Sequence, residues 1–208
     1  MAALNSREHA LELDRQDELG QFRSAFWPAA PGVIYLDGNS LGRLPTRTME
    51  HIGHVVQDQW GAQMINGWRQ AGWMEMPSRV GDKIGRLIGA AQGQVVCTDS
   101  TSVNLFKLVM AALQHQAGRS KLVSDKFNFP TDLYVMQGGI KLLDRGHRLH
   151  LVESPDGVEA DETALLEAID EDTALVSLSH PAFRSCYAYD LKRLTQHAHS
   201  VGALVLWD

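Results

Sequence analysis

Two stretches late in the chain, Ala174-Leu175-Val176-Ser177-Leu178 and Ala203-Leu204-Val205-Leu206-Trp207, are nearly uninterrupted apolar runs of strand length. A strand with one face in water alternates apolar and polar side chains. A continuous run needs cover on both faces, as in a parallel sheet held between helices. The same rhythm runs from residue 95 onward, with strands expected at 95–97, 121–124, 148–152, 173–178 and 203–207 and helices at 102–115, 131–144, 161–169 and 190–200. This alternation predicts an α/β fold with a mainly parallel sheet. Before it come a helix over 6–26 that ends ahead of Pro28 and Pro31, a short strand at 33–36 and the glycine-bracketed loop Asp37-Gly38-Asn39-Ser40-Leu41-Gly42. A helix over 46–64, a loop carrying Trp68 and Trp73, and a helix over 78–90 follow.

Composition narrows the function classes. The 208 residues are 44% hydrophobic and 21% charged, enough to bury a sizeable core. A net charge of −6 without clustered Lys or Arg argues against a nucleic-acid partner. No run is long and apolar enough to span a membrane, and residues 1–14, with Glu8, Glu12 and Asp14, do not read as a targeting segment. The two cysteines, Cys97 and Cys186, lie far apart, which suits a reducing, cytoplasmic setting. His51, His54, His197 and His199 belong to no HExxH or paired CxxC pattern, so no metal centre is expected.

In open α/β sheets, ligands collect outside the carboxyl ends of the strands. Those ends carry Thr98 to Ser102, then Phe127-Asn128-Phe129-Pro130-Thr131-Asp132, then Ser179-His180, and finally Trp207-Asp208. Ser100, Thr101 and Ser102 sit where they either cap the following helix or, with its free N–H groups, hold a phosphate. Phe129 offers an aromatic face or fills the core, Asp132 is an N-cap or a site carboxylate, and Ser179 is a turn residue or a ligand. Asp208, directly after five apolar residues, requires a partner if it is buried. Hydroxyls for a phosphate, an aromatic face for a ring and a carboxylate for a cationic ring nitrogen together suit pyridoxal 5'-phosphate. Neither GxGxxG nor GxxxxGK[ST] is present to favour a nucleotide.

Four segments, Tyr35-Leu36-Asp37-Gly38-Asn39-Ser40-Leu41-Gly42, Thr101-Ser102-Val103-Asn104-Leu105-Phe106-Lys107, Asn128-Phe129-Pro130-Thr131-Asp132-Leu133-Tyr134 and Trp207-Asp208, resemble in the same order those of the bacterial kynureninases. The resemblance implies the aspartate-aminotransferase-like fold of type I pyridoxal-phosphate enzymes, a homodimer, and hydrolysis of L-kynurenine to anthranilate and L-alanine, with 3-hydroxykynurenine a possible further substrate. It implies that residues 1–45 form an N-terminal arm and substrate-side loop, with 46–208 the first part of the cofactor-binding large domain. By the same resemblance Thr101 and Ser102 contact the cofactor phosphate and Phe129 stacks on its ring, in a loop with Pro130 and Thr131. Asp132 lies beside the ring, Ser179 helps fix it, and Asp208 pairs with its nitrogen. Ser40 and Trp68 face the substrate. Pro181 and Cys186 depart from the pattern, which has a small apolar residue and a glycine there.

The resemblance also implies that the Schiff-base lysine lies beyond Asp208. Lys83, Lys107, Lys121, Lys126, Lys141 and Lys192 all precede it, so the 208-residue chain alone is expected to be inactive. Without cover for the strand at 203–207, it is also expected to be poorly soluble or dependent on association. Two rival readings stand beside this one: another type I lyase or desulfurase, which a histidine in place of Phe129 would favour, and a catalytically inactive fragment acting as a dimerisation module.

Overall fold

The computed structural model describes residues 6–208; residues 1–5, the start of the expected arm, lie outside the described residues. The chain divides into two compact units, Met1–Cys97 and Thr98–Asp208.

In the first unit the helix expected over 6–26 is two pieces. Helix α1 (Arg7–Gln16) starts at Ser6, whose Oγ accepts the His9 N–H at 3.1 Å. A 3-10 stretch, Glu18–Ala25, follows, and the break has a local cause: the Asp17 side chain accepts the Leu19 N–H at 2.9 Å and so starts a new turn. Residues 33–36 form no strand. Ile34 and Leu36 are 84% and 88% exposed, and the one isolated bridge nearby joins Phe26 to Pro45. An apolar run becomes a strand only with a ladder partner, and the described residues supply none here. Helix α2 (Thr46–His54) passes into a π-helix, Val55–Ala62, then a 3-10 turn, Met64–Asn66, and the short α3 (Gly67–Gln70). Helix α4 (Met76–Ile88) packs against residues 95–97, where a strand was expected and none forms. That segment instead lies so close to α4 that a Cβ on Gly81 would sit 2.0 Å from the Val95 carbonyl oxygen, and the Cys97 N–H bonds to Pro77 rather than to a neighbouring strand.

The second unit follows the alternation read from the sequence. Its elements are α5 (Thr101–His115), β1 (Lys121–Asp125), α6 (Pro130–Leu143), β2 (Arg148–Val152), α7 (Glu162–Ala168), β3 (Thr173–Leu178), α8 (Leu191–Ser200) and β4 (Leu204–Trp207). The four strands pair in parallel in the order β2-β1-β3-β4. Period-two alternation sends neighbouring residues to opposite faces. Leu122 and Leu175 pack with Leu105, Val109, Leu113 and Met136 under α5 and α6, while Val123 and Val176 pack with Leu165, Ile169, Leu194 and Ala198 under α7 and α8. The central strands β1 and β3 are buried at every position, which is why their sequences lack alternation. Each fully buried Leu or Val contributes roughly 1.5–3 kcal/mol of hydrophobic stabilisation. The polar ends of these strands therefore have a firm base.

Candidate functional site

The strand order reverses between β1 and β3: the chain leaves β1 for β2 on one side and returns to β3 on the other. Such a reversal opens a crevice at the carboxyl ends of the two strands. Asn128 spans it. Its Nδ2 donates to Ser124 Oγ at 3.1 Å and to the Ser177 carbonyl at 3.2 Å, and its Oδ1 accepts the Phe129 N–H at 2.8 Å. The loop that carries Phe129, Pro130, Thr131 and Asp132 is thereby tied to both strands. Proline at the first position of α6 suits a helix start, since its missing N–H would have had no partner.

Beneath that loop, the Asp125 Oδ1 accepts the N–H groups of Phe127 and Asn128 at 3.0 and 3.1 Å, and its other oxygen accepts the Tyr189 hydroxyl at 2.6 Å. Burial raises the Asp125 pKa above its ordinary value, against the lowering effect of these three donors. Burial, and then the Asp125 carboxyl, push the Tyr189 hydroxyl far up. Asp125 and Tyr189 were not singled out from the sequence, and Asn128 was named only as part of its segment, without a role. Asp125 ends β1, whose sequence Lys121-Leu122-Val123-Ser124-Asp125 lacks the apolar run that precedes Asp208.

At the next strand end, Asp208 continues the sheet pattern. Its N–H donates to the Leu178 carbonyl at 3.0 Å, and its own carbonyl accepts the His180 N–H at 2.8 Å. The Ser179 hydroxyl donates to Asp208 Oδ2 at 3.5 Å. Asp132, 3% exposed, brings its carboxyl beside that of Asp208. Burial first, and the Asp208 charge second, raise the Asp132 pKa, while the Thr131 hydroxyl works the other way. Asp132 Oδ2 and His180 Nδ1 are buried with no hydrogen-bond partner among the described residues. His180 stacks edge-on to Trp207 at 5.6 Å between ring centres. Phe129, half-exposed, meets Phe183 edge-on at 4.8 Å.

A cavity of about 250 Å³ is lined by Thr101, Asn104, Leu105, Leu108, Leu206, Trp207 and Asp208. It joins the start of α5 to the end of β4, and no lysine lines it. Ser100 makes no side-chain cap bond, so the first-turn N–H groups of α5 keep the free donors and positive dipole end that favour an anion. The loop before α5 is held by Asp99, which accepts from Lys107 and from Thr98 and whose pKa these contacts lower, and by the Asn104 amide, which donates to the Thr98 carbonyl at 2.8 Å.

Thr101, Ser102, Phe129, Pro130, Thr131, Asp132, Ser179 and Asp208 all belong to the second unit, at the start of α5 or beyond the carboxyl ends of β1, β3 and β4. Ser40 and Trp68 belong to the first unit. Ser40 sits in an exposed turn whose N–H bonds to the Asp37 carbonyl at 3.2 Å. Trp68 is 48% exposed and meets Trp73 edge-on at 5.8 Å. The Trp73 indole donates to Gln59 at 2.7 Å. At the departure noted near Pro181, Cys186 has φ +56°, a left-handed conformation that a glycine adopts without strain. Among the described residues no three His, Cys, Asp or Glu side chains gather as metal ligands, and no helix is long and apolar enough to cross a membrane.

The chain matches the family described as Aminotransferase class-V over residues 34–208. It is 45% identical, over 209 aligned positions, to a kynureninase of Burkholderia pseudomallei, an alignment covering 99% of this chain and 48% of that protein. The chain thus spans about half the length of the curated relatives it matches. Among solved structures, the apo cysteine desulfurase of Thermococcus onnurineus NA1 superposes with a TM-score of 0.70 at 20% identity, covering 91% of this chain and 46% of that one. A C-DES mutant with glycine covalently linked to its PLP cofactor superposes with a TM-score of 0.68 at 15% identity, covering 92% and 49%. At these identities the likeness speaks for the fold.

Proposed function

The chain belongs to the aminotransferase class-V family, and on that premise we propose that it forms the cofactor-cradling part of a pyridoxal-phosphate-dependent kynureninase. The reaction is hydrolytic cleavage of the carbon–carbon bond in L-kynurenine that yields anthranilate and L-alanine. The observation that carries this reading is the pair of carboxyls, Asp132 and Asp208, set side by side with a buried oxygen lacking a partner. Two anions in contact are unfavourable without a cation, and a protonated ring nitrogen supplies one. The residues therefore fit the group.

Asp208 holds the proton at that ring nitrogen. Its two backbone bonds, to Leu178 and His180, keep the carboxylate as rigid as the sheet, and Ser179 orients Oδ2. Thr101 and Ser102 bind the phosphate through hydroxyls and first-turn N–H groups at the start of α5. Phe129 supplies an apolar wall for the ring, kept in place by Asn128 and Phe183. Bound there, the cofactor serves as the electron sink for a carbanion at the substrate. Ser40 and Trp68 contact the substrate. A lysine that would bind the cofactor covalently is expected, by the likeness to kynureninases, from outside these 208 residues.

The protein works in the cytoplasm as a homodimer. The free, exposed Cys97 and Cys186 suit a reducing compartment. The apolar arm, with Leu19 70% and Phe22 54% exposed, offers area that a second copy would cover.

The experiment is cofactor binding by fluorescence or calorimetry, together with anthranilate release from L-kynurenine by a protein that joins this chain to the remaining length of its relatives. Thr101→Ala and Ser102→Ala are expected to weaken cofactor binding by roughly 0.5–3 kcal/mol each. Equal affinity in both variants, or release of sulfide from cysteine in place of anthranilate, contradicts the reading.

A further inference from the structure

The opposite end of the sheet, where β1 and β2 begin, holds a second cavity of about 340 Å³. It is lined by the end of α5 at Leu113 and Gln114, by the Ala117-Gly118-Arg119-Ser120 turn into β1, and by Arg145 and His147 ahead of β2. Its charge is one-sided in a chain whose net charge is −6. No Asp or Glu lines it. The Arg119 guanidinium donates to the carbonyls of Thr173 at 2.9 Å and Val201 at 2.8 Å, which hold it in place without neutralising it. Arg145 has no ion pair or side-chain hydrogen bond among the described residues, and His147 Nδ1 is buried there without a partner. Asp172, which accepts from the N–H and hydroxyl of Ser120, pairs with Arg148 at 2.6 Å, and Asp170 pairs with Lys121 at 2.6 Å.

A buried ring nitrogen without a partner, beside two guanidinium groups without carboxylates, is an arrangement that an anion completes. Leu113 and Ala117 give the cavity an apolar wall as well. We propose that this cavity is a binding site for a small oxyanion, a carboxylate or a phosphate, distinct from the site at the carboxyl end of the sheet. Arg145 supplies the bidentate contact, His147 Nδ1 a further one, and Arg119 the fixed positive charge at its base.

The test is an NMR titration that follows the His147 imidazole resonances as inorganic phosphate, and separately benzoate, is added to the chain saturated with pyridoxal 5'-phosphate. At least one probe is expected to give a saturable shift, and which of them does so identifies the head group. Arg145→Ala, an exposed position whose change leaves the core intact, is expected to weaken that binding about tenfold or more, the loss of a bidentate charged contact. Thr101→Ala is expected to leave it unchanged. No saturable shift with either probe, or a shift that survives Arg145→Ala, overturns the site. A chain that shows the His147 shift yet fails to take up the cofactor contradicts the proposed function while leaving this site standing.

Discussion

The carboxyl of Asp132 lies beside that of Asp208, and its Oδ2 is buried without a hydrogen-bond partner among the described residues. Burial first, then the Asp208 charge, raise the Asp132 pKa, so the folded protein holds this proton more tightly than the unfolded chain does. Below the ordinary value of 3.8 the group costs nothing, and stability is lost as pH rises from there through the raised value. Asp132→Asn replaces the repelled oxygen with an N–H that can donate to Asp208. Urea unfolding is expected to show a gain of about 1 kcal/mol for the variant near pH 8 and a smaller gain near pH 4. An equal gain at both pH values would mean that charge is not the cause.

Tyr189→Phe removes the 2.6 Å bond to Asp125 and leaves a buried carboxyl with only its two backbone donors. A hydrogen bond to a charged group contributes about 1.5–3 kcal/mol, and a loss of that size is expected at neutral pH. Asp125 already has a raised pKa, chiefly from burial, and loss of the hydroxyl raises it further, so the deficit should shrink on acidification. Denaturation midpoints at two pH values check this, and a pH-independent deficit contradicts it.

Strands β3 and β4 were readable because an apolar run without alternation suits a parallel sheet covered on both faces, and β1 and β2 because they fall in the regular alternation with helices. Ser179 and Asp208 stand directly after β3 and β4, where an α/β sheet opens, whereas Thr101 begins α5 after a segment that forms no strand and Asp132 lies in the first turn of α6. Residues 33–36 and 95–97 misled, since a short apolar run shows strand propensity but not whether a neighbour will pair with it. Asp17 carried the signal for the break in the first helix, as an N-cap residue inside a helical pattern. The Asp125–Tyr189 contact joins residues 64 apart in the chain, a pairing that local pattern does not reveal.

Cys186 occupies a left-handed conformation at φ +56°. An L-residue there costs roughly 1–2 kcal/mol, partly offset by the greater freedom glycine gains in the unfolded chain. Cys186→Gly is therefore expected to stabilise by about 0–1 kcal/mol, read as a raised urea midpoint at constant slope. A lower midpoint would show that the cysteine side chain makes up for the strain.

Gly81→Ala is expected to destabilise the first unit by about 1–3 kcal/mol, the cost of overpacking, because the new methyl meets the Val95 carbonyl oxygen at 2.0 Å and backbone must move. Hydrogen exchange in α4 would report it as faster opening, and unchanged protection would contradict the close approach.

The account turns on Asp208 facing a protonated ring nitrogen, and the measurement that bears on it most directly is the 15N chemical shift of ring-labelled pyridoxal 5'-phosphate bound to the chain. The predicted result is a pyridinium shift for the parent and a shift toward the unprotonated ring in Asp208→Asn, with the cofactor still bound in both. The same shift in both proteins, or no bound signal in the parent, would contradict it.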